Sequence, residues 1–287
     1  MLKMNYVALL FSLCFFCSCN GDSDDEADDM AGLIEDDNIP SEAIAIYNEA
    51  YQENYEADTI ADILTNAKNG YVLIDPFAEG VPEQIAAIKA NGNQVGAYIS
   101  IGTGENFRDD YEAIKPYLVN KAWDEWPNEF FVNETTTGIL EVMKARIDKI
   151  ATWGCDWVEF DNMDWVYDGN RRNTYNLEVT KAEGAAYFRA LCDYVHEKDM
   201  KCMAKNMTED ASNFDGVLYE SYNNDKNWWS QSGAQSFLDA GKLVIINHYN
   251  ETSCSQVYAE YKGIYNNDLS FICEDTNLKK YVHFNEE

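Results

Sequence analysis

The chain has 287 residues, 46% of them hydrophobic and 14% aromatic, and carries a formal charge of −30. That length and apolar content allow one large domain with a substantial core. The acidity argues against a nucleic-acid partner, whose phosphates would be repelled, and favours a cationic one.

At the N-terminus, Lys3 precedes an apolar run over residues 6–16 that is too short to span a bilayer. The run ends in Phe16-Cys-Ser-Cys19, with a small residue directly before a cysteine. This predicts a lipoprotein signal: residues 1–18 are removed, Cys19 is lipidated, and the protein is held at the cell envelope or surface of a bacterium. An ordinary secretory signal, giving a secreted protein, is the alternative. Residues 19–39 read as a tether, because positions 21–37 hold nine acids and no bases and such a run repels itself. From residue 38 on there are 42 acids and 20 bases, so the domain expected over residues 40–287 is itself near −22.

Further along, strand-like and helix-like runs alternate, the signature of a parallel α/β architecture. Residues 41–67 read as mainly helical. Residues 71–75 form a buried strand with Asp75 at its exit. A helix follows over 81–90, with Pro82 in its first turn and Asn91-Gly92 as its stop. Residues 94–101 make the next strand. Ile139, Met143, Ile147 and Ile150 recur at helical spacing, and Gly154 ends that helix. The strand at 156–161 comes next, then a helix opened by Thr180 and Glu183 at capping-box spacing. Strands are expected at 201–206, 216–220, 243–248 and 269–274, with a short helix at 234–240. Seven strands with polar exits, and an eighth not located before Tyr71, fit a single-domain (β/α)8 TIM barrel. One unit is irregular, since the gap from Asn206 to Gly216 is too short for a helix. No Gly-rich phosphate fingerprint follows the first strand.

In a barrel the strand C-termini share one face. That gathers Asp75, Ser100, residues 159–164, Lys205, Asn206, Glu220, His248 and Glu274. Alternation turns Glu159 and Asp161 inward and Phe160 toward the helices. Asp161 and Glu220, each at a strand exit among aromatic residues, are the strongest pair of carboxylates. Two acids, one kept protonated by apolar walls and one ionised, are what glycosidic bond cleavage requires. A loop pinned by Asp161 and Asn162, or a divalent-cation site at Asp161, Asn162 and Asp164, are the competing readings. Lys205 is expected to pair with Asp161 or Glu220, and Arg108 to brace the loop after Ser100. Of the five cysteines beyond Cys19, Cys254 and Cys273 can bridge, while Cys155, Cys192 and Cys202 read as core thiols. The cysteines and the three distant histidines show no metal-ligand spacing.

Several segments carry a more specific likeness. They are Val95-Gly-Ala-Tyr-Ile-Ser-Ile-Gly102 with Glu105-Asn-Phe-Arg108; Ile139-Leu-Glu-Val-Met-Lys-Ala-Arg146; Gly154-Cys-Asp-Trp-Val-Glu-Phe-Asp-Asn162 with Asp164; and Ala240-Gly-Lys-Leu-Val244. In this order the chain resembles glycoside hydrolase family 114, the endo-α-1,4-polygalactosaminidase family of barrels. The resemblance implies that Asp161, in an Asp-Asn-x-Asp motif, is one catalytic carboxylate. Glu220 falls at the family's second, although Tyr219-Glu-Ser-Tyr222 replaces the usual Asn-Glu-Gln-Cys surroundings. The family's Trp-Leu-Asp-Ile-like strand is altered to Phe130-Phe-Val-Asn-Glu134.

The implied substrate is a cationic amino-sugar polysaccharide, which an acidic cleft would concentrate. Asp75, Glu105, Glu159 and Asp164 are then expected to meet its ammonium groups. Trp165, Trp228, Trp229 and Tyr249 are candidate stacking platforms, and core packing is the competing role for each. Tyr98, Ser100, Asn162, Lys205, Asn206 and Tyr222 complete the expected binding set. No cofactor is implied, and a monomer is expected, touching the membrane through its lipid alone. A glycan-binding lipoprotein without turnover on the same barrel is the alternative.

Overall fold

Eight short apolar segments pair in parallel around one axis, and this pairing sets the architecture. They are β1 (Ala45–Glu49), β2 (Tyr71–Ile74), β3 (Gln94–Ser100), β6 (Trp157–Asp161), β7 (Lys201–Lys205), β8 (Gly216–Tyr222), β9 (Leu243–Tyr249) and β10 (Ser270–Glu274). β1 also approaches β10, which brings the two ends of the sheet together. A short strand, β11 (Tyr281–His283), lies antiparallel on β10. A two-stranded ribbon, β4 (Thr103–Glu105) with β5 (Glu129–Phe131), leaves the top of β3. The fold is a (β/α)8 barrel, as the sequence predicts. This computed structural model describes residues 45–49, 57–222, 225–226, 229–265, 269–274 and 281–283. They fall in one compact unit, Ile39–Glu287. The expected signal, Cys19 and the whole of the expected tether lie outside the described residues.

Side-chain alternation along the strands divides the core in two. Tyr71, Leu73, Tyr98, Trp157, Met203, Leu218, Ile245 and Ile272 fill the barrel interior. Their sequence neighbours, including Val72, Ile74, Val95, Ala97, Val158, Phe160, Val217 and Ile246, face the helices. The interior is therefore a packed plug, and functional groups are confined to the strand ends.

The helices are α1 (Ala57–Asn66), α2 (Ile85–Ala90), α3 (Tyr111–Ile114), α4 (Thr137–Trp153), α5 (Gly169–Tyr175), α6 (Lys181–His196), α7 (Gln231–Asp239) and α8 (Cys254–Tyr265). Gly154 ends α4 at φ 83°, a left-handed turn that glycine takes without steric cost. The capping box read from the sequence is present at α6, where Thr180 and Glu183 satisfy each other's backbone N–H. Between β7 and β8 the chain makes turns and no helix, as the short gap requires.

Two expectations need correction. The segment read as mainly helical contains β1, the missing strand, ahead of α1. Cys192 and Cys202 are not core thiols: they form a disulfide between α6 and β7. His196 Nε2 lies against both of these sulfurs and hydrogen-bonds Asp215. Cys254 bridges Cys273, and Cys155 is a buried free thiol.

Candidate active site

The site is built on three neighbouring strand ends. Asp161 is the last residue of β6, Lys205 the last of β7, and Glu220 lies near the end of β8. Lys205 is almost fully buried, and its Nζ sits 3.1 Å from Glu220 Oε1, 3.7 Å from Asp161 Oδ1 and 3.8 Å from Glu159 Oε1. One ammonium thus holds three carboxylates that would otherwise repel one another. The pairing of Lys205 with Asp161 or Glu220, expected from the sequence, occurs with both.

Two asparagines set the directions. Asn162 and Asn206 follow Asp161 and Lys205, and both adopt positive φ, near 60°. Asparagine tolerates this left-handed turn better than most residues. It ends each strand abruptly and turns the amide side chain back to the site. Asn206 Oδ1 accepts the Glu220 backbone N–H at 2.9 Å, and its Nδ2 donates to Glu220 Oε2 at 3.4 Å. Asn162 Nδ2 donates to Ser100 Oγ at 3.0 Å. The approach of β3 to this turn is so close that a Cβ on Gly102 would lie 2.0 Å from the Asn162 carbonyl oxygen. Asp161 itself accepts from Tyr98 Oη at 3.0 Å and from the Asn162 N–H at 2.8 Å, so both of its oxygens are fixed.

Burial raises the Glu220 carboxyl above its ordinary range, outweighing Lys205, and nearby Asp161 adds to the rise. Glu159 lies below, fully buried, with no hydrogen bond to either oxygen. Burial, opposed by Lys205 and aided by Glu220 and Asp161, pushes it up to about 8. Glu129, at the start of β5, is also raised to about 8, by burial first and by Glu105 next.

The model of glycoside-hydrolase family GH114 matches residues 48–287. The chain belongs to this family. It is a glycoside hydrolase on the barrel that its sequence predicted. Among solved structures, Ega3 of Aspergillus fumigatus, in complex with galactosamine, is similar with a TM-score of 0.66 and 21% identity, over 84% of this chain and 100% of that one. The glycoside hydrolase domain of PelA from Pseudomonas aeruginosa is similar with a TM-score of 0.61 and 14% identity, over 86% and 98%. No curated protein matches the sequence.

Within this GH114 barrel, Asp161, Glu220, Lys205, Asn162, Asn206 and Tyr98 meet as the sequence reading gathered them. Other expected contacts have different roles. Trp165 is fully buried, donates from Nε1 to the Val132 carbonyl at 2.8 Å and packs edge-on against Tyr187 and Phe188, so it cannot stack on a sugar. Trp229 likewise packs among Tyr219, Tyr261 and Tyr265. Ser100 is buried and hydrogen-bonded to Thr103, a support for Asn162. Asp75 and Glu105 are both ion-paired to Arg108, at 2.8 Å each, and Asp164 to Arg171 at 2.9 Å. Glu159 sits beneath Lys205. None of these four acids stands unpaired for a substrate ammonium. His248 is buried with Nε2 against Tyr261 Oη, on the helix-facing side of β9. The side chains of Tyr222, Tyr249, Trp228 and Glu274 lie outside the described residues.

Sequence reasoning missed Glu129 and Thr103. Thr103 Oγ1 donates to Glu129 Oε2 at 2.5 Å, and Asn162 Nδ2 reaches the same oxygen at 3.5 Å. Both lie on the ribbon, Thr103 opposite Phe131 and Glu129 opposite Glu105, a pairing that no periodicity of the βα units reveals.

The raised carboxyls give stability a pH dependence. Glu159 and Glu129 titrate near 8 in the fold, against about 4.3 in an unfolded chain. Between those values the folded state keeps protons that the unfolded state has released. Their effect therefore favours the fold most at low pH and fades as pH rises toward 8. The melting temperature is expected to fall between about pH 5 and about pH 8, and to fall less in Glu159→Gln, which has no such proton to lose. An identical fall in both proteins contradicts the Glu159 assignment.

Proposed function

We propose that this glycoside hydrolase cuts internal α-1,4 bonds of galactosamine-type polysaccharide, with Glu220 as general acid and Asp161 as nucleophile. The observation that carries the reading is the meeting of Asp161 and Glu220 on one buried ammonium at adjacent strand ends. Their nearest oxygens can be no farther apart than the two legs of 3.7 and 3.1 Å laid end to end. Retaining enzymes hold their carboxyls about 5–5.5 Å apart and inverting ones about 6.5–9.5 Å, so the bound admits the retaining spacing and only the near edge of the inverting one.

The division of labour follows from the surroundings. Glu220, whose burial holds its proton, donates that proton to the glycosidic oxygen as the bond to the anomeric carbon breaks. Asp161, fixed by Tyr98 and Asn162, attacks that carbon and forms a glycosyl ester. Lys205 then stabilises the Glu220 carboxylate left behind, which takes a proton from water as the water releases the sugar. The galactosamine held by Ega3 supports the sugar class, and a domain charge near −22 suits a polycation. Protein from residue 38 onward, mixed with partly de-N-acetylated α-1,4-galactosamine polymer, is expected to generate new reducing ends. A polymer whose length distribution stays fixed under the enzyme refutes the substrate assignment.

A further inference from the structure

We propose that Glu129, on the β4–β5 ribbon, reads the substrate's amine: its carboxylate receives the primary ammonium of a 2-amino sugar at the cleavage site. This rests on the polysaccharide reading above and adds the residue that would make an amino sugar, rather than its N-acetylated form, the preferred ligand.

Acids around the barrel mouth are paired with cations. Asp75 and Glu105 share Arg108, Asp110 pairs with Arg146, and Asp164 with Arg171. Glu159, Asp161 and Glu220 share Lys205. Among the described residues, Glu129 has no ion pair, although it is largely shielded from solvent and sits opposite Glu105 in the ribbon register. Like charges placed directly across a strand pair are destabilising, and a glutamine would fill the position at lower cost to the fold.

The side chain is nevertheless held in place. Thr103 Oγ1, itself hydrogen-bonded to Ser100, donates to Oε2, and Asn162 Nδ2 lies on the same side. Asn162 is the residue that also donates its backbone N–H to Asp161. The chain of contacts therefore puts Glu129 beside the proposed nucleophile, where the reacting sugar must lie. A neutral hydroxyl would gain little from an acid here. An ammonium would stabilise a charge that Glu105 and Asp161 crowd and that Lys205 only partly offsets. Burial and these acids keep Glu129 protonated near neutrality. An arriving ammonium would thus expel that proton, and the N-acetylated sugar would not.

Calorimetry at about pH 6.5, where the amine is charged, tests this with a galactosamine oligosaccharide and its N-acetylated counterpart. The wild type is expected to bind the amino form about tenfold or more tightly, as a charge-assisted hydrogen bond implies. Titrations in buffers of different ionisation enthalpy should show proton release on binding. Glu129→Gln, which keeps the hydrogen-bond acceptor for Thr103, should bring the two affinities together and abolish most of the release. Glu129→Asp, which keeps the charge, should retain part of the preference. A wild type without preference, or a Glu129→Gln variant that keeps both preference and proton release, overturns the proposal. Failure of the polysaccharide reading looks different: the wild type would then leave the polymer uncut.

Discussion

Glu220→Gln is expected to lower kcat on galactosamine polymer by about 10²–10⁴-fold, the usual contribution of a positioned general acid. The amide fits the same space and can still accept from Asn206, so the fold should survive. The defect should depend on the leaving group. An aryl glycoside with an acidic phenol needs little protonation, and Glu220→Gln should cleave it far better, relative to wild type, than it cleaves polymer. Asp161→Asn should show no such relief, because the bond-forming step itself is lost. Its amide also meets Tyr98 and Lys205 without the charge that both now contact. Kinetics of both variants on both substrates check the assignment. Equal losses on polymer and aryl glycoside for Glu220→Gln would reassign its role.

Removing Arg108 is expected to have the largest effect on stability. Its guanidinium bridges Asp75 and Glu105, which are 5% and 3% exposed, and it lies over the Phe77 and Phe107 rings. Arg108→Met keeps the stem and deletes the charge, leaving two acids buried beside each other without this cation. Breaking such a buried pair costs about 3–5 kcal/mol, and Arg146, 3.9 Å from Glu105 Oε2, offsets only part of the lost charge. Burial already raises the Asp75 carboxyl, with Arg108 opposing the rise, so in the variant Asp75 should take up a proton more readily. The sign follows. Protonation relieves the variant as pH falls, so the deficit should be greatest near neutrality and shrink toward about pH 4. Urea unfolding at several pH values measures this. A deficit under about 1 kcal/mol, flat with pH, would mean that Arg108 is a surface-type pair.

Much of the site was legible because strand alternation is a strict rule. Given Asp161 at a strand exit, Glu159 had to face inward and Phe160 outward, and the structure follows. Lys205 could be placed between acids for the same reason. The failures share a cause: sequence does not say which local neighbour a side chain prefers. Trp165 follows the Asp-Asn-x-Asp motif and looks like a sugar platform, yet the 3-10 turn after Asn162 sends it into the core toward Val132. Asp75 and Glu105 look like free acids until the loop folds Arg108 between them. The strand β1 was hidden because five residues, Ala45–Glu49, sit beside a helix and carry only weak alternation. The Cys192–Cys202 bridge joins a helix to the following strand, a pairing that depends on tertiary packing. Glu129 belongs to a ribbon outside the repeating βα pattern, so the rule that found the other acids never reached it.

The central claim is that one glycosidic bond sits between the β6 and β8 carboxylates. A crystal structure of Glu220→Gln soaked with a galactosamine oligosaccharide tests it most directly. The account predicts an uncut chain crossing the barrel mouth. Its scissile oxygen should lie within hydrogen-bonding reach of the residue-220 side chain, and its anomeric carbon should face an Asp161 oxygen. An ordered oligosaccharide bound elsewhere on the barrel, or one whose linkage meets only one of the two side chains, would contradict it.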